Sequence, residues 1–218
     1  MKNSGLHIAI ILILMLATSC SKILIITYGI KEAKVVTDEQ ISLYAKEHGF
    51  DTLNIYSLST DYKQFFTDTN SLITGTSQKI CMTDNLKYRL SQPLQYLLFD
   101  KDGHLLVHST NCHAGGFPNL KWNKDGAFEQ FPPIPLSDVD SSFEFKTMLP
   151  YFTPVAAKPL SDSTDYTCVV FWNKFMGRQS TRLVKYVQRN LEIPARKNTA
   201  INVLLVNDDN YFAEGDMQ

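Results

Sequence analysis

Residues Thr167–Tyr211 read TCVVFWNKFMGRQSTRLVKYVQRNLEIPARKNTAINVLLVNDDNY, and the apolar period changes twice within them. Thr167 to Trp172 is rich in β-branched and aromatic residues and follows the polar cluster Ser161 to Asp165, which marks a buried strand. After Gly177 the period becomes helical. Leu183, Val187 and Leu191 recur every four residues with Val184 beside them, while Arg182, Lys185, Gln188 and Arg189 take the outer face. Pro194 is expected to stop that helix, because it lacks a backbone N–H. Ile201 to Val206 reads as a second apolar strand, closed by the turn formers Asn207, Asp208, Asp209 and Asn210. Strand, helix of roughly 14 residues and strand predict a βαβ unit with parallel strands and a right-handed crossover.

The phrase joining the first strand to the helix runs Phe171, Trp172, Asn173, Lys174, Phe175, Met176, Gly177, Arg178, Gln179. It resembles the active-site phrase F-W-x-x-W-C-G-P-C of thioredoxin-like proteins. The aromatic pair, the third aromatic and the glycine are kept. Met176 stands where that family has its attacking cysteine, and Gln179 where it has the resolving one. The family's chemistry needs a thiolate stabilised at a helix N-terminus, which neither Met nor Gln can supply. The resemblance therefore implies a thioredoxin-like layered α/β sandwich, with a mixed sheet of about five strands and flanking helices, from which redox activity is gone.

The strongest hairpin signal is Leu94 to His108, where Tyr96 to Phe99 and Leu105 to Val107 flank Asp100-Lys101-Asp102-Gly103. Pro93 immediately precedes it. A proline is tolerated at a strand's first residue for its own reasons. In thioredoxin-like proteins a cis proline precedes the corresponding hairpin strand and faces the active-site loop, and Pro93 resembles it. The hairpin normally follows the βαβ unit, whereas here it comes earlier in the chain. Either the fold is permuted in sequence, or the N-terminal half supplies strands that the family takes from elsewhere.

Residues 1–19 read as an address. Lys2 gives a positive start, Leu6 to Leu16 an apolar run, and Ala17-Thr18-Ser19 a small-residue approach to Cys20. This resembles a bacterial lipoprotein signal, which implies that Cys20 becomes the lipidated first residue of the mature chain. Leu16 sits one place further from the cysteine than the strict pattern has it. The competing reading is an N-terminal signal anchor over Leu6 to Ile26, interrupted by the Thr18 to Lys22 patch. Both put the remaining chain outside the cytoplasm, in the cell envelope facing the periplasm. Residues 20–36 then read as lipidated cysteine and tether, and 37–218 as a single α/β domain.

A net charge of −1 over 218 residues, without a dominant basic patch, argues against a nucleic-acid partner. Thr37-Asp38-Glu39-Gln40 has the form of a capping box, opening a helix with Ile41, Tyr44 and Ala45 on one face. Asp51 to Leu58 reads as a strand, and Phe65, Phe66, Leu72 and Ile73 give the next helix an apolar stripe. Residues 111–163 form a long insertion. Seven of the nine prolines fall between Pro118 and Pro159, which disfavours a central strand or long helix there. Ser142 to Leu149 reads as a short helix. Dense aromatics, among them Phe117, Trp122, Phe128 and Phe143, suit a segment that covers the sheet or presents a binding face.

Setting Cys20 aside, three cysteines remain. Cys168 lies in a buried strand and reads as a small hydrophobe. Cys81 and Cys112 lie in polar segments, and an exported compartment permits a disulfide between them. No pair has Cys-x-x-Cys spacing, so neither a zinc ribbon nor a dithiol site is indicated, and nothing calls for a cofactor. Cys112-His113 is the one local pairing of a nucleophile with a base. The row Arg178, Arg182, Lys185, Arg189 suits an anionic partner or a solvated face. Two functions follow as expectations. One is a membrane-tethered envelope lipoprotein with a non-catalytic structural or partner-binding role. The alternative is a thiol-dependent envelope enzyme working through a cysteine outside the usual motif.

Overall fold

The computed structural model describes residues 29–50, 54–67, 83–116 and 119–215. In chain order these form α1 (Asp38–Glu47), β1 (Asn54–Leu58), α2 (Tyr62–Thr67), α3 (Asp84–Leu90), β2 (Gln95–Asp100), β3 (Leu105–Thr110), α4 (Asn111–Ala114), β4 (Phe152–Ala157), β5 (Tyr166–Trp172), α5 (Gly177–Ala195), β6 (Ile201–Asn207) and α6 (Asp209–Gly215). The strands make one mixed sheet in the order β3-β2-β5-β6-β1-β4. At its centre β5, β6 and β1 run parallel, while β2 and β3 on one side and β4 on the other are antiparallel to their neighbours.

Alternation along the strands sorts the core into two layers. Cys168, Val170 and Trp172 of β5 face α1 and α5, meeting Ile41, Ala45, Leu183, Val184 and Val187. Val169 and Phe171 face the other way, toward Tyr62 and Phe65 of α2 and Leu86 and Leu90 of α3. The expected βαβ unit is present. The apolar row of α5 is buried at Leu183, Val184 and Val187, and Leu191 packs at its margin. The capping box at Thr37 is also found, with the Gln40 N–H donating to Thr37 Oγ1 and the Thr37 N–H to Gln40 Oε1.

The structure corrects four expectations. The sheet has six strands, because β4 lies inside the proline-rich insertion. Pro154 fits there because β4 is an edge strand, paired only to β1 through a register shift at Ile55/Tyr56. The helix does not stop before Pro194. It takes Pro194 into its last turn, where the Pro194 carbonyl accepts from the Lys197 and Thr199 N–H groups. Ser142 to Leu149 forms no single helix; 3₁₀ turns at Phe145–Thr147 and Leu149–Tyr151 stand there instead. The bond before Pro93 is not cis: the cis peptide among the described residues is Phe131–Pro132.

The insertion covers the sheet. Leu120, Trp122, Ala127 and Phe128 join the α1/α5 layer, and Phe143 and Met148 join the other. It also crosses the outer side of β3. The Leu105 N–H donates to the Phe143 carbonyl, the Phe145 N–H to the Gly103 carbonyl, and Ser137 Oγ to the His108 carbonyl. The buried Arg89 guanidinium fixes the same stretch through Ser137 Oγ and the Asp138 carbonyl.

Candidate functional site

The turn from β5 into α5 meets the end of β6, so the loops that follow two adjacent parallel strands converge. Open α/β sheets place sites at the carboxyl ends of such strands. Asn173 is the hub. Its Oδ1 accepts the Met176 N–H at 2.8 Å, and its Nδ2 donates to the Pro93 carbonyl and to Asp208 Oδ1, each at 2.9 Å. Ser180 Oγ, one turn into α5, donates to the Asn173 carbonyl at 2.7 Å and accepts from the Asn173 N–H at 3.1 Å. The loop is therefore fixed from both ends.

Two carboxylates lie beneath it. Asp209 accepts the backbone N–H groups of Lys174 at 2.8 Å and Phe175 at 3.3 Å, together with Asn207 Nδ2 at 2.8 Å. Burial raises its carboxyl above the usual range, opposed by those same hydrogen bonds. Asp208 is more deeply placed, at 1% exposure, and its Oδ2 has no partner among the described residues. Burial pushes its carboxyl well above the usual range, with Asp209 adding to the rise and Asn173 opposing it. Tyr62, whose hydroxyl is also buried and unpartnered, is raised by burial and by the neighbouring Tyr211, Tyr151 and Asp208.

Met176 is the N-cap residue of α5 and Gln179 stands three places on, so both belong to the helix's first turn. Both side chains are buried. Gln179 Oε1 accepts the Leu120 N–H at 3.2 Å, so the insertion closes over the turn. Trp172 stacks on Tyr44 at 5.7 Å between ring centroids and meets Phe50 edge-on at 5.1 Å. Gly177 lies against the same ring: a Cβ there would meet the Tyr44 hydroxyl at 3.4 Å, in van der Waals contact.

Beside the turn opens a cleft of about 1180 Å³. Its walls carry Lys31, Lys34, Lys174, Arg178, Arg182 and Lys185, against the carboxylates Glu32, Glu47 and Asp209. Arg178, Arg182 and Lys185 of the sequence row thus form one wall of it, and Arg189 lines a neighbouring depression with Arg182, Lys185 and Tyr186. Lys31 and Lys34, in the lead-in before α1, were not singled out from sequence. Only the fold brings them to α5.

The cysteines stand apart from this turn. Cys168 is buried in β5, and burial pushes its thiol up to about 12, which keeps it protonated and unreactive. Cys112 is exposed and free, with Sγ 2.8 Å from Gln92 Oε1 and 3.3 Å from the Tyr88 hydroxyl. His113 turns its Nδ1 to Thr110 Oγ1 at 2.8 Å. No hydrogen bond joins the Cys112 sulfur to His113 among the described residues. Cys81, expected to pair with Cys112, lies outside the described residues, as do Cys20, Leu72, Ile73 and Phe117.

Among the described residues no group of His, Cys, Asp and Glu is arranged to hold a metal ion, and no helix is long and apolar enough to cross a membrane. No family model, curated protein or solved structure matches this chain.

Proposed function

We propose that the protein is a membrane-tethered lipoprotein of the bacterial cell envelope. It is held by lipid on Cys20, and it uses a sequence-permuted, thioredoxin-like scaffold to bind a partner rather than to exchange disulfides. One observation carries this reading. The two side chains at the dithiol positions, Met176 and Gln179, are buried together at the first turn of α5, and Gln179 is engaged by the insertion. The family likeness draws support from Pro93. It precedes the hairpin strand β2, which lies antiparallel beside β5, and its carbonyl touches the turn through Asn173. The envelope setting rests on the apolar run and small residues leading to Cys20.

The competing role, thiol chemistry, rests on the exposed Cys112. The two are separated by assaying the full chain for disulfide reduction and by expressing Cys20→Ala. The native protein should be inert in the first assay. The variant should accumulate as precursor and take up no labelled fatty acid. Reductase activity that disappears in Cys112→Ser, or fatty-acid label that persists in Cys20→Ala, overturns the respective half of the proposal.

A further inference from the structure

We infer that the cationic face of α5 docks flat on anionic lipid headgroups of the membrane that holds the N-terminus. This rests on the tethered reading above and adds which face of the domain meets the bilayer.

The first argument is charge. Arg178, Arg182, Lys185 and Arg189 recur at helical spacing along one face of α5, and Lys31, Lys34 and Lys174 extend the patch at its N-terminal end. Among the described residues the ion pairs are His104–Asp100, Lys146–Glu144 and Arg196–Glu192, so none of these cations is held in one; Arg182 donates to Asn119 Oδ1 and Lys174 lies over the Tyr44 ring. The whole chain carries a net charge of −1, so the patch is a local concentration and not a general excess. Such clusters beside a membrane attachment bind anionic headgroups through the surface potential.

The second argument is where the tether arrives. The Lys31 N–H donates to the Phe175 carbonyl at 2.6 Å, and the Val36 N–H to Asn210 Oδ1 at 2.7 Å, so the lead-in is bound to the same end of the domain. A Cβ on Gly29 would sit 3.8 Å from the Arg178 Cβ, the first cation of the row. Residues 20–28, at no more than about 3.5 Å each, let the lipidated cysteine lie no more than about 30 Å from Gly29. The row from Arg178 to Arg189 extends about 17 Å along the helix, well inside that radius. The lead-in's entry into the described domain and the first cation of the row, Arg178, are therefore at one end of the sheet. Lys101, in the β2–β3 turn, and Lys158, just after β4, belong to the opposite end of the sheet.

The test uses the full, lipidated chain in vesicles of phosphatidylcholine alone or mixed with phosphatidylglycerol. Flotation measures attachment, and the rate of lysine acylation, read by mass spectrometry, measures contact. Expected is flotation with both vesicles. Lys174 and Lys185 should be acylated about tenfold more slowly on the anionic ones, with the difference lost at high salt. Lys101 and Lys158 should react equally on both. In Lys185→Glu/Arg189→Glu, both exposed positions, Lys174 should lose its protection while flotation persists. Flotation with equal acylation of Lys174 and Lys185 overturns the docking and leaves the tether standing. Flotation with neither vesicle overturns both. Protection by envelope proteins, without protection by anionic vesicles, assigns the face to an acidic protein and also overturns it.

Discussion

The Asn173 side-chain amide donates to the Pro93 carbonyl at 2.9 Å, tying the start of β2 to the end of β5 across 80 residues of sequence. The same side chain holds Asp208 and the Met176 N–H. Asn173→Ala leaves three polar groups, two of them buried, short of a partner and should cost about 2–4 kcal/mol in urea unfolding. Asn173→Asp should cost more, since it removes the donor and sets a second carboxylate against Asp208. A loss below about 0.5 kcal/mol for the alanine variant would mean that the hub is not what holds the turn.

The proposed likeness of the first turn of α5 to a dithiol turn can be tested by placing two thiols there. In a Cys112→Ser background, Met176→Cys/Gln179→Cys puts two thiols at the N-cap and third positions. The dipole of the helix N-terminus, with Arg178 between them, should lower the first thiol below the free value of about 8.5. Under mild oxidant the pair should close to an intramolecular bond, read by thiol titration and mass. Two unreactive cysteines would remove the likeness to the thioredoxin turn.

Asp208 gives a pH signature. Its folded-state pKa is raised by burial, so its contribution to stability is complete below the unfolded value of about 3.9 and is lost as pH rises through the folded value. Asp208→Asn keeps the acceptor for Asn173 and cannot ionise. At pH 8 it should be more stable than the native chain by about 1–2 kcal/mol, and near pH 4 it should show little gain. Equal gains at both pH values would show that Asp208 does not titrate within the fold.

His108 acts in the opposite direction. Burial, with Arg89 and His113 nearby, lowers its pKa to about 3, and its Nε2 lies 3.0 Å from Gln95 Oε1. The unfolded chain protonates this residue below about 6.5 while the fold keeps it neutral. Stability should therefore fall by about 3 kcal/mol between pH 7 and pH 4 on its account. His108→Gln should flatten that part of the denaturation profile. An unchanged slope would sink the assignment.

Elements whose signal is local were legible. The period of four in Leu183, Val187 and Leu191, the Asp-Gly turn and the Thr37–Gln40 box each report on a few consecutive residues, and each is found. β4 was missed because Phe152–Ala157 carries a proline that forbids a central strand yet suits an edge. α3 was missed because seven residues hold fewer than two turns of periodicity, although Thr83, whose hydroxyl accepts the Leu86 N–H, was a readable start signal. The site was legible only as a turn. Asn173, Pro93 and Asp208 lie 35 and 80 residues apart, and no period or spacing relates them. Lys31 and Lys34 carry no pattern of their own and gain meaning from the wall they face.

The two margins of the sheet are closed by different means. On β4, Pro154 offers no N–H and the register shift bends the strand; along β3, the insertion occupies carbonyls and N–H groups that a further strand would need. Among the described residues, a second copy of the chain therefore meets a backbone template interrupted on β4 and partly occupied on β3. Growth of the sheet by an added strand is disfavoured at both margins, which leaves side chains and helix faces as the readier surfaces for association.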